Sequence, residues 1–310
     1  MMKPRTALIV ALAAAALIGS AWFLNRDRVK EEEPKKAESE PKLVRDAKDE
    51  DAFANAGLFK RLGTGNMDPV EPELLAHLRK RWIFAPSDLP YNLVRPSVES
   101  WAQIGQSQLV DKILKQRRNG FYVESGAFDG EDHSNSLFFE KSRDWKGLLI
   151  EPDPWTFEAL IQKNRKAYVV NTCIAIGKSP ERTEFTFASE LGGIAKKSAA
   201  VPKAEAGSVR GTGRIQCFPI LSLLAAVGQT HVDYFSLDVE GAEIEILKSF
   251  PWSQVTVDVW TIEYAVHGGG AGTPEREKEI REIFKKTDLY KEGTILGGQD
   301  IVFVRKDVPQ

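Results

Sequence analysis

Cysteine is nearly absent: the 310 residues contain two, Cys173 and Cys217. Two are too few for a disulfide scaffold, and their spacing fits no zinc motif. A buried free thiol at Cys173 is the expectation, with one Cys173–Cys217 bridge as the alternative. Neither has a neighbouring histidine, so cysteine nucleophile chemistry is not indicated. The four histidines, His77, His133, His231 and His267, show no paired ligand spacing. A basic surplus is also missing. Lys and Arg number 42 against 44 Asp and Glu, a formal net charge of -2, which gives no footprint for a nucleic-acid partner. The chain has no G-x-G-x-x-G fingerprint, and "HGGGAG" at 267–272 lacks the Lys-Ser/Thr ending of a phosphate loop. Those glycines read instead as a flap beside a site. No N-x-Ser/Thr sequon and no internal repeat occur.

One long apolar run is present. "ALIVALAAAALIGSAWFL", Ala7 to Leu24, is 18 uncharged residues flanked by Lys3, Arg5, Arg26 and Arg28, just long enough to span a bilayer. Residues 1–25 are expected to be a retained signal anchor, making a single-pass membrane protein. The alternative is a secreted chain cleaved near Gly19–Ala21. Residues 26–51 are almost all charged, with Pro34 and Pro41, and read as a disordered stem. Residues 52–118 hold helix-like pieces, "EPELLAHLRKRWI" and "SWAQIGQSQLVDKILKQR", an N-terminal helical extension with no chemistry visible.

From Gly120 onward, β-like runs alternate with helix-like segments, the pattern of a doubly wound α/β sheet. "AYVVNTCIAIG" reads as one strand, and the chain from there to "RIQCFPI" as irregular. "ASELGGIAKKSAAVPKAEAGSVRGTGR", with its Ala, Gly and Lys, is flexible by composition and suited to closing over a substrate. "LYKEGTI" and "DIVFVRK" read as a C-terminal hairpin closing one sheet edge.

Ligands on such sheets bind at the carboxyl ends of the strands, and three acidic strand ends fall there. The first, "ESGAFDGE", joins Glu124 to a turn at Gly126 and Gly130, where glycine lets a ligand approach the backbone. Glu124, Asp129, Glu131 and Asp132 would repel a pyrophosphate and welcome a cation or zwitterion. The second is Glu151 in "GLLIEPDP", one βα unit later, placed to accept ribose hydroxyls. Together they favour S-adenosylmethionine, which carries a sulfonium and an ammonium, over a dinucleotide. The third, "LDVEGAE", offers Asp238 and Glu240 near the transferable methyl, where a carboxylate or a histidine such as His267 can take a hydroxyl proton. Glu263 and Tyr264 end the following strand. A magnesium ion between Asp238 and Glu263 is the weaker alternative.

With "ESGAFDGE", "GLLIEPDP", "KNRKAYVVNTCIA", "CFPILSLLAAVG" and "DYFSLDVEGAEIEIL", residues 119 to 305 resemble the FkbM-type S-adenosylmethionine-dependent methyltransferases. The resemblance implies a class I methyltransferase (Rossmann-like) domain over 119–310 and O-methylation of hydroxyls. It implies cofactor contacts from Glu124, Ser125, Gly126, Ala127, Gly130, Glu151, Pro152, Cys173 and Asp238, with Asp238, Glu240 and His267 as catalytic candidates. The longer matches look like the invertebrate Star-like branch, which implies a membrane-anchored protein of the endoplasmic reticulum, Golgi or vesicles. The acceptor is then expected to be a hydroxyl-bearing small molecule or a glycan. The alternative is a catalytically silent relative that binds secretory cargo protein.

Overall fold

Two helices open the described chain, which in this computed structural model comprises residues 56–194, 209–265 and 273–309. These are α1 (Ala56–Arg61) and α2 (Pro72–Arg81). Pro72 suits a first helical position, where no N–H is needed, and Leu74 and Leu78 bury one stripe of α2. The short strand β1 (Ile83–Phe84) and helix α3 (Gln106–Ile113) complete the extension. The alternating region begins β2 (Phe121–Ser125), α4 (Leu137–Arg143), β3 (Lys146–Ile150), α5 (Pro154–Gln162) and β4 (Tyr168–Val170). An insertion follows, holding β5 (Cys173–Ile174), β6 (Glu181–Phe187), β7 (Gly193–Ile194) and β8 (Gly211–Phe218). The alternation resumes with α6 (Ile220–Ala226), β9 (His231–Leu237), α7 (Glu243–Ser249), β10 (Thr256–Glu263) and α8 (Thr273–Thr287). The hairpin β11 (Tyr290–Leu296) and β12 (Asp300–Arg305) closes it.

The main sheet has the order β1-β4-β3-β2-β9-β10-β12-β11. β4, β3, β2, β9 and β10 are parallel, whereas β12 runs antiparallel to β10. All five residues of β2 are buried because both faces of the sheet are covered. Alternate side chains feed the two layers: Val123, Leu148 and Phe235 enter one core, Tyr122, Leu149 and Tyr234 the other. The chain winds outward from β2 through β3 to β4, then restarts beside β2 at β9. A crevice therefore opens between the carboxyl ends of β2 and β9.

The expected single strand over residues 167–177 is two strands in different sheets. β4 ends at Val170, where the Asn171 side chain donates to the Glu151 and Pro152 carbonyls at 2.8 and 3.2 Å. Thr172 then donates to the Gln216 carbonyl at 2.6 Å and hands the chain to a second sheet, ordered β5-β8-β6-β7. The region read as irregular thus contains β6. Its sequence "ERTEFTF" buries only Phe185, so its apolar signal is weak.

The free-thiol expectation is overturned. Cys173 and Cys217 face each other in register between β5 and β8, with Cα atoms 4.5 Å apart, and form a disulfide. The anchor (1–25), the stem (26–51), most of the flexible segment (195–208) and the glycine flap with His267 lie outside the described residues. Among the described residues no helix is long and apolar enough to cross a membrane.

Candidate active site

The turn after β2 is built on glycine at two places. Gly126 has φ +84°, and a Cβ there would lie 1.8 Å from the Asp238 carbonyl oxygen. Only glycine lets this turn pass the end of β9. The Gly126 and Ala127 N–H groups both donate to the Ile150 carbonyl, at 3.0 and 3.2 Å. Gly130, φ +78°, serves packing: its Cβ position is 3.0 Å from Leu160 of α5.

The acids of this turn do not act as a group on a ligand. Glu131 is buried and accepts the Val94 and Arg95 N–H groups at 2.7 and 2.6 Å and the Lys163 ammonium at 2.8 Å. Asp129 accepts the Glu131 and Asp132 N–H groups and pairs with Lys163 at 3.3 Å, and Asp132 pairs with Arg95. Their charge is spent pinning the extension to the turn. Glu124 is buried as well, accepting from Ser134 Oγ at 3.0 Å, from the Asn135 N–H at 2.6 Å and from Ser136 Oγ. Burial raises its pKa against the pull of Arg165.

A cavity of about 430 Å³ fills the crevice at the switch point. It gathers Glu124, Ser125, Gly126 and Ala127 from the end of β2, with Glu151 and Pro152 from the end of β3. Cys173 lies on its wall from β5, and Asp238, Glu240 and Glu263 on its wall from β9 and β10. Gly130 lies behind the turn rather than on this lining. Of the residues named from sequence, His267 is the one outside the described chain.

Six carboxyl-bearing residues line the cavity, and no Lys or Arg does among the described lining. Glu151 is buried, and that burial pushes its pKa up to about 8. Its Oε2 accepts the Phe128 N–H at 2.7 Å; its Oε1 accepts the Asp153 N–H at 2.8 Å and Thr156 Oγ1 at 2.9 Å. A carboxylate has about four lone-pair sites, so one stays open. Thr156 has one hydrogen for two acceptors, the other being the Asp153 carbonyl at 3.1 Å. Turning it there frees a second site, which makes room for both hydroxyls of a vicinal diol.

Asp238 and Glu263 bring carboxyl oxygens within 4.8 Å of each other, close enough for their titrations to be coupled. Burial pushes Asp238 up to about 7, and burial plus the Asp238 charge hold Glu263 far higher, so above about pH 7 the pair carries one proton and one charge. A third carboxylate, Glu243, has one oxygen within 4.8 Å of an oxygen of each. Both Glu243 oxygens are committed, to the Val239 and Gly241 N–H groups and to Arg276. The donor set therefore suits a shared proton better than a magnesium ion.

Among the lining residues that sequence reasoning missed, four polar ones bear on the ligand: Ser236, Asn135, Gln103 and Gln299. Ser236 is a polar residue within the buried strand "VDYFSL", a usable signal. Asn135 donates to Ser236 Oγ at 3.0 Å, while its own carboxamide oxygen is buried without a partner among the described residues. Gln103 and Gln299 arrive from the extension and from the β11–β12 turn. Their local sequence gives no hint of this, and the extension thus contributes to the site. Carboxylates, an unsatisfied acceptor and a backbone turn open enough for close approach fit a ligand bearing a sulfonium and an ammonium.

The strand order, the antiparallel β12 and a cavity at the switch point define a class I methyltransferase fold. The chain belongs to the FkbM methyltransferase family: the "Methyltransferase FkbM domain" matches residues 124–288, just over half of its length. It is a methyltransferase. No curated protein matches the chain. Solved structures it is similar to include a SAM-dependent methyltransferase from Aquifex aeolicus, 10% identical with a TM-score of 0.34, covering 65% of this chain and 89% of that one. A TehB-like SAM-dependent methyltransferase from Corynebacterium glutamicum is 11% identical with a TM-score of 0.33, covering 66% and 88%. The human methyltransferase 10 domain containing protein is 9% identical with a TM-score of 0.35, covering 76% and 97%. At such scores these neighbours add nothing to the family match.

Proposed function

We propose that the protein is an O-methyltransferase for an uncharged hydroxyl acceptor, a glycan or another secretory-pathway substrate. The observation that carries this reading is the Asp238–Glu263 pair in a cavity whose described lining has carboxylates and no cation. Such a lining disfavours an acceptor bearing phosphate or carboxylate near its reacting hydroxyl. The donor supplies an electrophilic methyl on a sulfonium. Glu151 would hold the ribose diol and the Asn135 oxygen the ammonium, while Asp238 takes the acceptor proton as the O–C bond forms and the S–C bond breaks. The sulfonium charge disappears in that step as the carboxylate charge of Asp238 is neutralised.

Calorimetry of the full chain with S-adenosylmethionine and S-adenosylhomocysteine tests the donor site. Binding of both is expected, with a loss of roughly tenfold or more in Glu151→Ala from the missing hydrogen bonds to the ribose hydroxyls. No binding of either compound would remove the enzymatic reading and leave a silent cargo-binding protein of the Star-like kind. Chelator should leave methyl transfer unchanged.

The Cys173–Cys217 disulfide supports residence in an oxidising compartment, and the apolar run Ala7–Leu24 supports attachment to a secretory-pathway membrane. The bridge closes a loop with a sequence separation of 44 residues. By loop entropy it is worth about 4 kcal/mol, less any strain. Replacing both cysteines by serine should lower the urea midpoint accordingly. A chain found fully reduced after alkylation trapping, or released from membranes at alkaline pH, would refute the assigned location.

A further inference from the structure

The donor cavity is acidic, and the opposite face of the small sheet gathers cations. Phe185 of β6 lines the donor cavity. Since side chains alternate along a strand, Arg182 of β6 projects from the other face, where Gln216 and Arg214 of β8 lie in register with Arg182 and Glu184. The end of α1 and its following turn lie against this face. The Gln216 amide donates to the Leu62 carbonyl at 3.2 Å, and a Cβ on Gly63 would stand 3.9 Å from Arg182 Cδ.

Two adjoining depressions result, of about 430 and 280 Å³, and both are lined by Arg182 and Arg214. Lys60 and Thr64 join the first; Trp82 and Gln216 join the second. Among the described residues no carboxylate lines either one, and Glu184, across the ladder from Arg214, lies outside both. Neighbouring Arg61 is bound to Glu71 and Glu73, whereas Lys60, Arg182 and Arg214 form no ion pair among the described residues.

The site is held in place from behind. Gln216 is buried, and its amide also donates to the Glu181 carbonyl at 2.9 Å, while its oxygen accepts Arg182 Nε at 3.3 Å. That leaves the outer guanidinium nitrogens of Arg182 without a partner among the described residues. Trp82 is fixed by its indole N–H, 3.1 Å from His77 Nε2, and by edge packing on Phe218 at 4.9 Å, yet stays half-buried. A planar guanidinium pair matches a carboxylate or sulfate ester, and an indole offers apolar surface to the C–H face of a sugar ring.

We propose that this cleft is a second ligand site, separate from the donor cavity, that binds an acidic saccharide. The acid group would sit among Arg182, Arg214 and Lys60, and the ring would lie on Trp82. An anionic part of a glycan that the donor cavity disfavours is accommodated here, whether or not methyl transfer occurs.

Saturation-transfer NMR of the full chain with methyl glucuronide, methyl glucoside and inorganic sulfate as probes tests this. Transfer to the glucuronide ring protons is expected, with affinity for the neutral glucoside weaker by roughly tenfold or more. The glucuronide signal should vanish in the double variant Arg182→Ala/Arg214→Ala while S-adenosylmethionine affinity and the melting temperature stay unchanged. Equal transfer to the glucoside would overturn the proposal, as would a signal indifferent to the double variant. Arginine-dependent sulfate binding without glucuronide binding would reduce the cleft to an inorganic-anion site and overturn it too. If the double variant melts early, Arg214→Ala alone decides, with the same expected loss.

Discussion

Arg165→Ala is expected to cost the fold about 3–5 kcal/mol, a large part of the 5–15 kcal/mol typical of a domain. Arg165 is buried beneath the glycine turn. Its Nε lies 3.2 Å from both oxygens of Glu140, whose side chain is wholly inaccessible. Its other nitrogens reach the Gly130 carbonyl, Tyr122 OH at 3.2 Å, and the Ser134 and Ser136 hydroxyls at 3.3 and 3.0 Å. Both of these serines also donate to Glu124 on the cavity wall. Alanine would leave Glu140 and Glu124 buried without a cation and strip the turn of its support. Urea denaturation of the full chain measures the loss, and a change below about 1 kcal/mol would show the network to be dispensable. Arg165→Lys restores the charge but not the five-donor fork, so an intermediate midpoint is expected. Weaker S-adenosylmethionine binding should accompany both variants, because Glu124 and Asn135 are positioned by the same loop.

The sequence "KNRKAY" gives no sign of that role: an arginine among lysines at a helix end reads as solvated, and only its tertiary partners reveal it. The strands of the main sheet are legible because "FYVES", "GLLI" and "DYFSL" must be apolar to lie between two covered faces. The turn at Gly126 is legible for a related reason, since its positive φ and the nearby Asp238 carbonyl tolerate no side chain. The charges of the same turn mislead. From sequence Asp129 and Glu131 face a ligand; in the fold they hold Lys163 and the Val94–Arg95 backbone. A carboxylate's partners lie wherever the chain returns, which a linear reading does not contain. The disulfide escaped for the same reason. Cys173 and Cys217 become neighbours only because residue 172 leaves the main sheet and pairs with β8, through a strand of two residues. The second sheet, and with it the basic cleft, rests on "ERTEFTF", a strand with one buried side chain.

Asp238→Asn is expected to reduce methyl transfer on the order of 10²- to 10⁴-fold while leaving S-adenosylmethionine affinity nearly unchanged. Burial holds Asp238 up to about 7, and Glu263 stays protonated well above that. Below about pH 6 Asp238 is protonated and cannot take the acceptor proton, so activity should rise with pH through about 7. Glu263→Gln keeps a donor in place of the proton-bearing carboxyl, so it should retain most of the activity and its rising limb. If Glu263 were the base, glutamine would abolish turnover instead. Transfer of labelled methyl groups to acceptors in a total extract, followed from pH 5 to 9, separates the two roles. A flat profile, or full activity in Asp238→Asn, would dismiss Asp238 as the base. Stability supplies a check that needs no acceptor. Because the folded state binds the Asp238 proton more tightly than the unfolded chain, its contribution is fully present below the ordinary carboxylate range and is lost as pH climbs through about 7. Asp238→Asn should flatten that part of the stability curve, whereas Glu240→Gln, on the same wall but outside the pair, should leave its slope in place.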